Sequence, residues 1–305
     1  MPSIRRRTLH QLGTYAFVVP FCAVLLAPFV GMFLSALKTN AEIFVPWDEF
    51  RFLPHPPQWG NFAAMWHEVS NIGRYFLNSA LISTGSTILA IATALPAAYA
   101  LSRFRFPGRK AFLQLVLITE MFSPIVIVVG VYKLFAGTSM TWFYSLVSAV
   151  GLHRLLPDAP PESLIDNLFG LVLLNAAFNL AFAIWLLNGY FNTVPKEVEE
   201  AAWVDGCSWW KSLTRVMIPL AAPGIATAVI FTFIAAWNEF LFALTLLRTA
   251  EKRPVIVGLF SLIGQFDVQW NYVMAGALLA VLPVVVLFWA AEKHLVSGLT
   301  SGAIK

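Results

Sequence analysis

The stretch Pro195-Lys-Glu-Val-Glu-Glu-Ala-Ala-Trp-Val-Asp-Gly206, continued by Cys207-Ser-Trp-Trp-Lys-Ser-Leu-Thr-Arg-Val-Met-Ile-Pro219, is a polar interlude between two long apolar runs. Its punctuation predicts two short helices. Pro195 suits a first helical position, and Glu197, Glu199 and Glu200 fall near the positive amino end of that helix. Gly206 can take the left-handed conformation that stops it, and Ser208 can cap the helix that follows. Ala201 and Ala202 present a small surface, so a partner can approach the backbone closely, with charge from Glu200 and Asp205 at the edge. From spacing alone two readings stand: a helix that docks a partner protein, or an amphipathic helix lying on a membrane surface.

The runs on either side of this segment settle the fold class. The chain is 59% hydrophobic and 12% charged, with a mean hydropathy of +0.74, far from the averages of soluble domains. Stretches long enough to cross a hydrocarbon core, which takes roughly twenty helical residues, run from about Gly13 to Leu37, Leu77 to Leu101, Ala111 to Phe135, Leu168 to Tyr190, Leu220 to Leu247 and Tyr272 to Ala291. Each must be helical, because an open strand in lipid leaves its amides without partners, and no alternating barrel pattern is present. The reading is an all-α membrane protein of six transmembrane helices. Prolines at 20, 28, 96, 124, 223 and 283 predict kinks.

Arg5, Arg6 and Arg7 precede the first stretch, which is too long for a signal peptide and is followed by no small-residue cleavage site. Arg103, Arg105, Arg109 and Lys110 fill the link between the second and third stretches. The excess of basic residues places both segments, and hence both termini, in the cytoplasm. The loops beginning at Lys38, Ala136 and Arg248 then face outward, and the segment from 193 to 219 faces inward. Residues 1–12 form a cytoplasmic amino-terminal segment, and 13–305 form a single bundle with no second domain and no internal repeat. Within the first outward loop, Asn61 to Ser70 predicts a short surface helix. The net charge of +4, with basic residues scattered, argues against a nucleic-acid partner. Neither Cys22 and Cys207 nor the five histidines show metal-ligand spacing.

Glu200-Ala201-Ala202, Gly206 and Ile218-Pro219 resemble the cytoplasmic loop signature of binding-protein-dependent ATP-binding-cassette (ABC) permeases. Further matches are Asn78-Ser79, Pro96-Ala-Ala-Tyr-Ala-Leu-Ser-Arg103, Phe106-Pro-Gly-Arg109, Ala236-Trp-Asn-Glu-Phe240 and Gly298-Leu-Thr-Ser-Gly-Ala303. Together they resemble the carbohydrate-uptake branch, in the second-permease type of maltose and trehalose importers. That resemblance implies the type I ABC importer permease fold in a bacterial cytoplasmic membrane. It also implies a second permease subunit, two ATPase subunits and an external solute-binding protein. The loop carrying Glu199, Glu200, Ala201, Ala202, Asp205 and Gly206 would insert into an ATPase cleft. The chain itself has no Gly-x-x-x-x-Gly-Lys-Ser/Thr loop, so ATP and magnesium belong to the partner ATPase and no cofactor or metal is expected here.

Polar residues at membrane depth are the candidates for the substrate pathway, because burying them is costly unless they are paired or line a watery cavity. Glu120 stands where the family pattern leads one to expect no acid; it is either an acceptor for sugar hydroxyls or a residue paired with the partner permease. Asn175 and Asn179 share one helix face and bond either a polyol or another helix. Trp237, Asn238 and Glu239 are placed either to stack on a pyranose or to pack a gate. The last outward loop, with Gln265, Asp267, Gln269, Trp270 and Asn271, resembles the segment that enters a binding protein's sugar cleft; a plain connecting turn is the alternative. The loop from 136 to 167 is longer than in typical relatives, either as a contact surface or as a tolerated insertion.

Two other function classes fit the sequence less well. An integral-membrane enzyme lacks support, because no nucleophile elbow or zinc-protease pattern occurs. A self-contained secondary transporter or channel would need no ATPase, and would ordinarily show more helices or a symmetric repeat. The expected cargo is a disaccharide such as trehalose or maltose, a longer oligosaccharide, an amino sugar or a glycerophosphodiester-like polyol. Phosphate-bearing cargo is disfavoured, because no basic residue lies near the centre of any predicted helix.

Overall fold

The computed structural model describes residues 2–46, 48–137, 149, 164–263 and 268–303. Every regular element among them is helical. In chain order these are α1 (Pro2–Ala36), α2 (Asn40–Ile43), α3 (Gly60–Glu68), α4 (Ile72–Arg103), α5 (Arg109–Thr119), α6 (Pro124–Gly137) and α7 (Leu168–Thr193). They are followed by α8 (Lys196–Val204), α9 (Trp209–Leu220), α10 (Ala222–Trp237), α11 (Leu241–Leu246), α12 (Val255–Ile263) and α13 (Trp270–Ala303). A 3₁₀ turn, Ala250–Lys252, precedes α12.

The chain divides into two compact bodies, one of Met1–Ser70 with Leu259–Leu282 and one of Asn71–Gly258 with Pro283–Lys305. In the first, the apolar part of α1, Thr14–Ala36, contains an 18-residue stretch with no residue buried against protein. A helix that is hydrophobic all round and uncovered belongs in hydrocarbon. After it the chain turns: the Asn61 amide donates to the carbonyls of Ala36 and Lys38, both at 2.8 Å, and a Thr39/Glu42 capping box starts α2.

The second body is built on α4, which packs along α7 and α10. Small residues make the close approach feasible. Ser79, Ser83, Ser86, Ala90, Ala94 and Ala98 are all buried on α4, and Ser83 and Thr87 return their hydroxyl protons to their own helix at 2.7 Å. Between α7 and α10 the approach is closer still, since a Cβ on Gly224 would fall 2.2 Å from the Tyr190 ring.

Among the described residues, four helical spans, Thr14–Ala36, Ile72–Arg103, Leu168–Thr193 and Trp270–Ala290, are long and apolar enough to cross a membrane; counting each of two bent pairs as one span makes six. The bent pairs correct the sequence reading. The continuous third helix expected over 111–135 is broken into α5 and α6, which meet at 95°. The residue before a proline is pushed out of the helical region, and Pro124 opens α6. The expected fifth helix, 220–247, ends at Trp237 and resumes as α11, and its start is bent 81° from α9. Pro20, Pro28, Pro96 and Pro283, by contrast, lie inside continuous helices.

Candidate functional site

The segment between α7 and α10 folds as its cap residues dictate. Gly206 has φ +82°, and its N–H bonds the Trp203 carbonyl while the Cys207 N–H bonds that of Ala202, each at 3.0 Å. This pair closes α8 in a Schellman motif. The Ser208 hydroxyl then accepts from the Lys211 N–H at 3.4 Å and starts α9. Pro195 caps α8 from outside, one residue earlier than the first helical position expected from sequence.

The two faces of α8 differ. Glu200, Ala201, Asp205 and Gly206 are exposed, together with Trp203 and Val204. Ala202 and Glu199 are buried, so Ala202 does not share the small exposed surface expected of it from spacing, and Glu199, placed in the docking loop by resemblance, is not on its exposed face. Glu199 turns inward onto α4. Its Oε2 lies 2.6 Å from Arg103 Nε, with side-chain exposures of 1% and 4%. Its Oε1 accepts from the Tyr99 hydroxyl and from Ser212 Oγ at 3.3 Å. Arg103 Nη2 also donates to the Val194 carbonyl at 2.9 Å. Breaking such a buried pair by removing one partner typically costs about 3–5 kcal/mol, because the other charge is stranded. The sequence shows Arg103 as part of the basic link and, with Tyr99, as part of the stretch Pro96–Arg103 that resembles the family, but it pairs neither with Glu199; the available signal is their spacing of four on one helical face.

A second site lies in the same body. The breaks after α5 and α10 face the middle of α7 around a cleft of about 550 Å³. Glu120, Asn175, Asn179 and Glu239 line it alongside Phe122, Phe178 and Phe242, and no Lys or Arg is among its lining residues. Glu239 is largely committed to the backbone, its two oxygens accepting from the N–H groups of Phe242 at 2.7 Å and Ala243 at 2.9 Å as the cap of α11. Glu120 is exposed and accepts from the Phe182 N–H at 3.1 Å. Asn179 donates to the Asn175 carbonyl at 2.7 Å. Asn175 is 2% exposed, yet its Nδ2 has no hydrogen-bond acceptor. The cleft thus offers the Glu120 carboxylate as an acceptor between aromatic walls, a combination suited to hydroxyl groups on a partly apolar ring, while the Asn175 donor is enclosed in its wall.

Trp237 and Asn238 lie outside this cleft. Trp237 is buried and stacks on Phe233 at 5.7 Å, while the Asn238 N–H ends α10 on the Ile234 carbonyl. In the other body, the Trp270 N–H donates to Asn40 Oδ1 at 3.0 Å, and its indole meets the Phe44 ring edge-on. Asn271 is buried and Gln269 half-buried. Gln265 and Asp267, and most of the long loop at 136–167, lie outside the described residues.

The family model described as "Binding-protein-dependent transport system inner membrane component" matches residues 86–300, a span that contains both α8 and the cleft. The chain belongs to this family. It is 30% identical to the inner membrane ABC transporter permease protein YcjP of Escherichia coli over 98% of both chains. It is 33% identical to the probable ABC transporter permease protein y4oR of Sinorhizobium fredii over 98% of this chain and 97% of that one. The trehalose transport system permease protein SugB of Mycobacterium tuberculosis is 30% identical over 92% of each. Among solved structures, a chain of a bacterial ABC transporter involved in import of the acidic polysaccharide alginate superposes with a TM-score of 0.70 at 23% identity, covering 95% of this chain and 97% of that chain. The fold is therefore that of an ABC importer permease, and the protein is a multi-pass inner-membrane transport component.

Proposed function

We propose that the chain forms half of the translocation pathway of an ABC importer for a neutral sugar, a disaccharide or oligosaccharide such as trehalose or maltose. A second permease completes the pathway, an external solute-binding protein delivers the cargo, and two separate ATPase subunits bind ATP and magnesium. Both termini and α8 are assigned to the cytoplasm, a reading supported by the excess of basic residues beside α1 and after α4. The observation that carries the reading is α8 itself. It projects Glu200, Ala201, Asp205 and Gly206 outward while Glu199 fixes it from inside. That is the form of a peg that enters another protein and moves with it. ATP binding favours the closed ATPase pair, and rigid docking makes the outward-facing permease part of that same state. The sugar class is supported by the trehalose and diacetylchitobiose permeases among the relatives, and by the hydroxyl-matching cleft.

The test is affinity purification of the tagged chain in mild detergent, with partner identification and ATP hydrolysis, repeated with Gly206→Pro and Glu200→Arg. Wild type is expected to bring down an ATPase and a second permease, and the variants to lose or uncouple them. A chain that purifies alone and moves solute without ATP would refute the reading.

A further inference from the structure

The α7–α8 junction poses a mechanical problem. Val194 and Pro195 are extended, with ψ 123° and ψ 140°, so helical hydrogen bonding does not continue across them. A push on α8 would be absorbed at this hinge if the backbone were its only connection to α7. Arg103 spans the hinge from the side. It holds the Val194 carbonyl on one flank and Glu199 on the other, with Tyr99 one helical turn earlier on the same carboxylate. Both side chains stand on the last turns of α4, where a positive charge is also favoured by the helix dipole.

The other end of α4 is held in a matching way. Asn78, 7% exposed, donates to the carbonyls of Glu251 at 2.8 Å and Arg253 at 3.1 Å. Ser79 Oγ accepts from the Val255 N–H at 2.8 Å, and Arg74 pairs with Glu251. From Asn78 to Arg103 the helix rises about 38 Å, against a hydrocarbon core of about 30 Å, so the two sets of bonds lie near opposite faces of the membrane.

We propose that α4 is the rod that makes the docking helix α8 and the turn at residues 248–255 move together, with Arg103–Glu199 and Asn78–Ser79 as its two polar clamps. The inference rests on α8 being the ATPase-docking element. It gives Glu199 and Arg103 a positioning role within the chain and leaves Glu200 and its exposed neighbours for the partner. By linkage, a binding protein docking on the far side shifts the same two-state equilibrium that the ATPase shifts from the near side.

The experiment uses the whole importer in nanodiscs, with ATP hydrolysis measured with and without the solute-binding protein. The double variant Asn78→Ala/Ser79→Ala is expected to assemble and to hydrolyse ATP without the binding protein as wild type does. It should lose about fivefold or more of the stimulation that the binding protein causes. Arg103→Gln/Glu199→Gln, which removes both charges together, is expected to lose the stimulation to a similar extent. If it does not assemble, the far-end variant decides. An assembled far-end variant stimulated to within about twofold of wild type overturns the proposal, as does one whose ATP hydrolysis falls equally with and without the binding protein. Failure of the functional reading is distinguishable, because then no ATPase accompanies even the wild-type chain.

Discussion

Asp166 shows how much one side chain can secure at the edge of a membrane bundle. It sits at φ +56° just before α7. Its carboxylate accepts from the N–H groups of Arg248 and Thr249 at 3.0 and 2.9 Å, from the Thr249 hydroxyl at 2.6 Å, and from Lys252 at 3.0 Å. Partial burial works to raise its pKa, but the Thr249 and Lys252 contacts outweigh it and hold the group at about 2, below its ordinary 3.8. A depressed folded value means that the ionised form is bound more tightly by the fold. The stabilisation is therefore complete above about pH 4 and is lost as pH falls toward about 2. Thermal unfolding in detergent should find Asp166→Asn less stable than wild type at neutral pH, with the gap closing between about pH 4 and 2. A gap that is constant with pH would assign the loss to geometry alone. Sequence reading gave Asp166 no role, because its partners are more than 80 residues away along the chain. Glu199, given a place in the docking loop by resemblance, likewise meets a distant partner, Tyr99, across 100 residues. Its charge near a helix start was legible, but the side it faces was not.

At the level of elements, what was local was readable. The caps of α8 and α9, the stop at Gly206 and the existence of the long helices all follow from residues within a turn of one another. All six prolines predict kinks, but which of them break a helix was not readable, since Pro124 and Pro223 sit at breaks while four others in equally apolar runs pass through continuous helices. Neighbouring helices can re-satisfy the backbone groups freed by a proline, so the outcome depends on packing that the local sequence does not contain. Packing between α7 and α10 yields a sharper test. Gly224→Ala would place its Cβ 2.2 Å from the Tyr190 ring, and overpacking of this kind costs about 1–3 kcal/mol. Gly189, on α7, has nothing within 4 Å of its added Cβ, so Gly189→Ala should be neutral or stabilising by about 0.5–1 kcal/mol. Unfolding midpoints of the two variants in one detergent check the contrast; equal effects would mean that the helices separate readily at Gly224.

At the level of the whole molecule, the sequence placed six polar residues at membrane depth, and four of them, Glu120, Asn175, Asn179 and Glu239, meet at one cleft. Trp237 and Asn238 do not, because α10 ends there and the chain turns before Glu239. With Glu239 held by α11, the charge available to a cargo is that of Glu120, and no cation lines the cleft to offset it. Two like charges 4 Å apart repel by about 4 kcal/mol at an effective dielectric of 20, whereas a hydroxyl hydrogen bond returns only about 1 kcal/mol. Repulsion wins, so an acidic sugar should be disfavoured at this cleft even where its hydroxyls fit. Competition binding to the detergent-solubilised importer, with trehalose as the neutral probe and an alginate disaccharide as the acidic one, is expected to favour trehalose by about tenfold or more. Glu120→Gln should narrow that preference, and Glu120→Lys should reverse it. If the charge reversal leaves the ratio unchanged while the importer stays assembled, Glu120 does not face the cargo and is instead paired with the second permease.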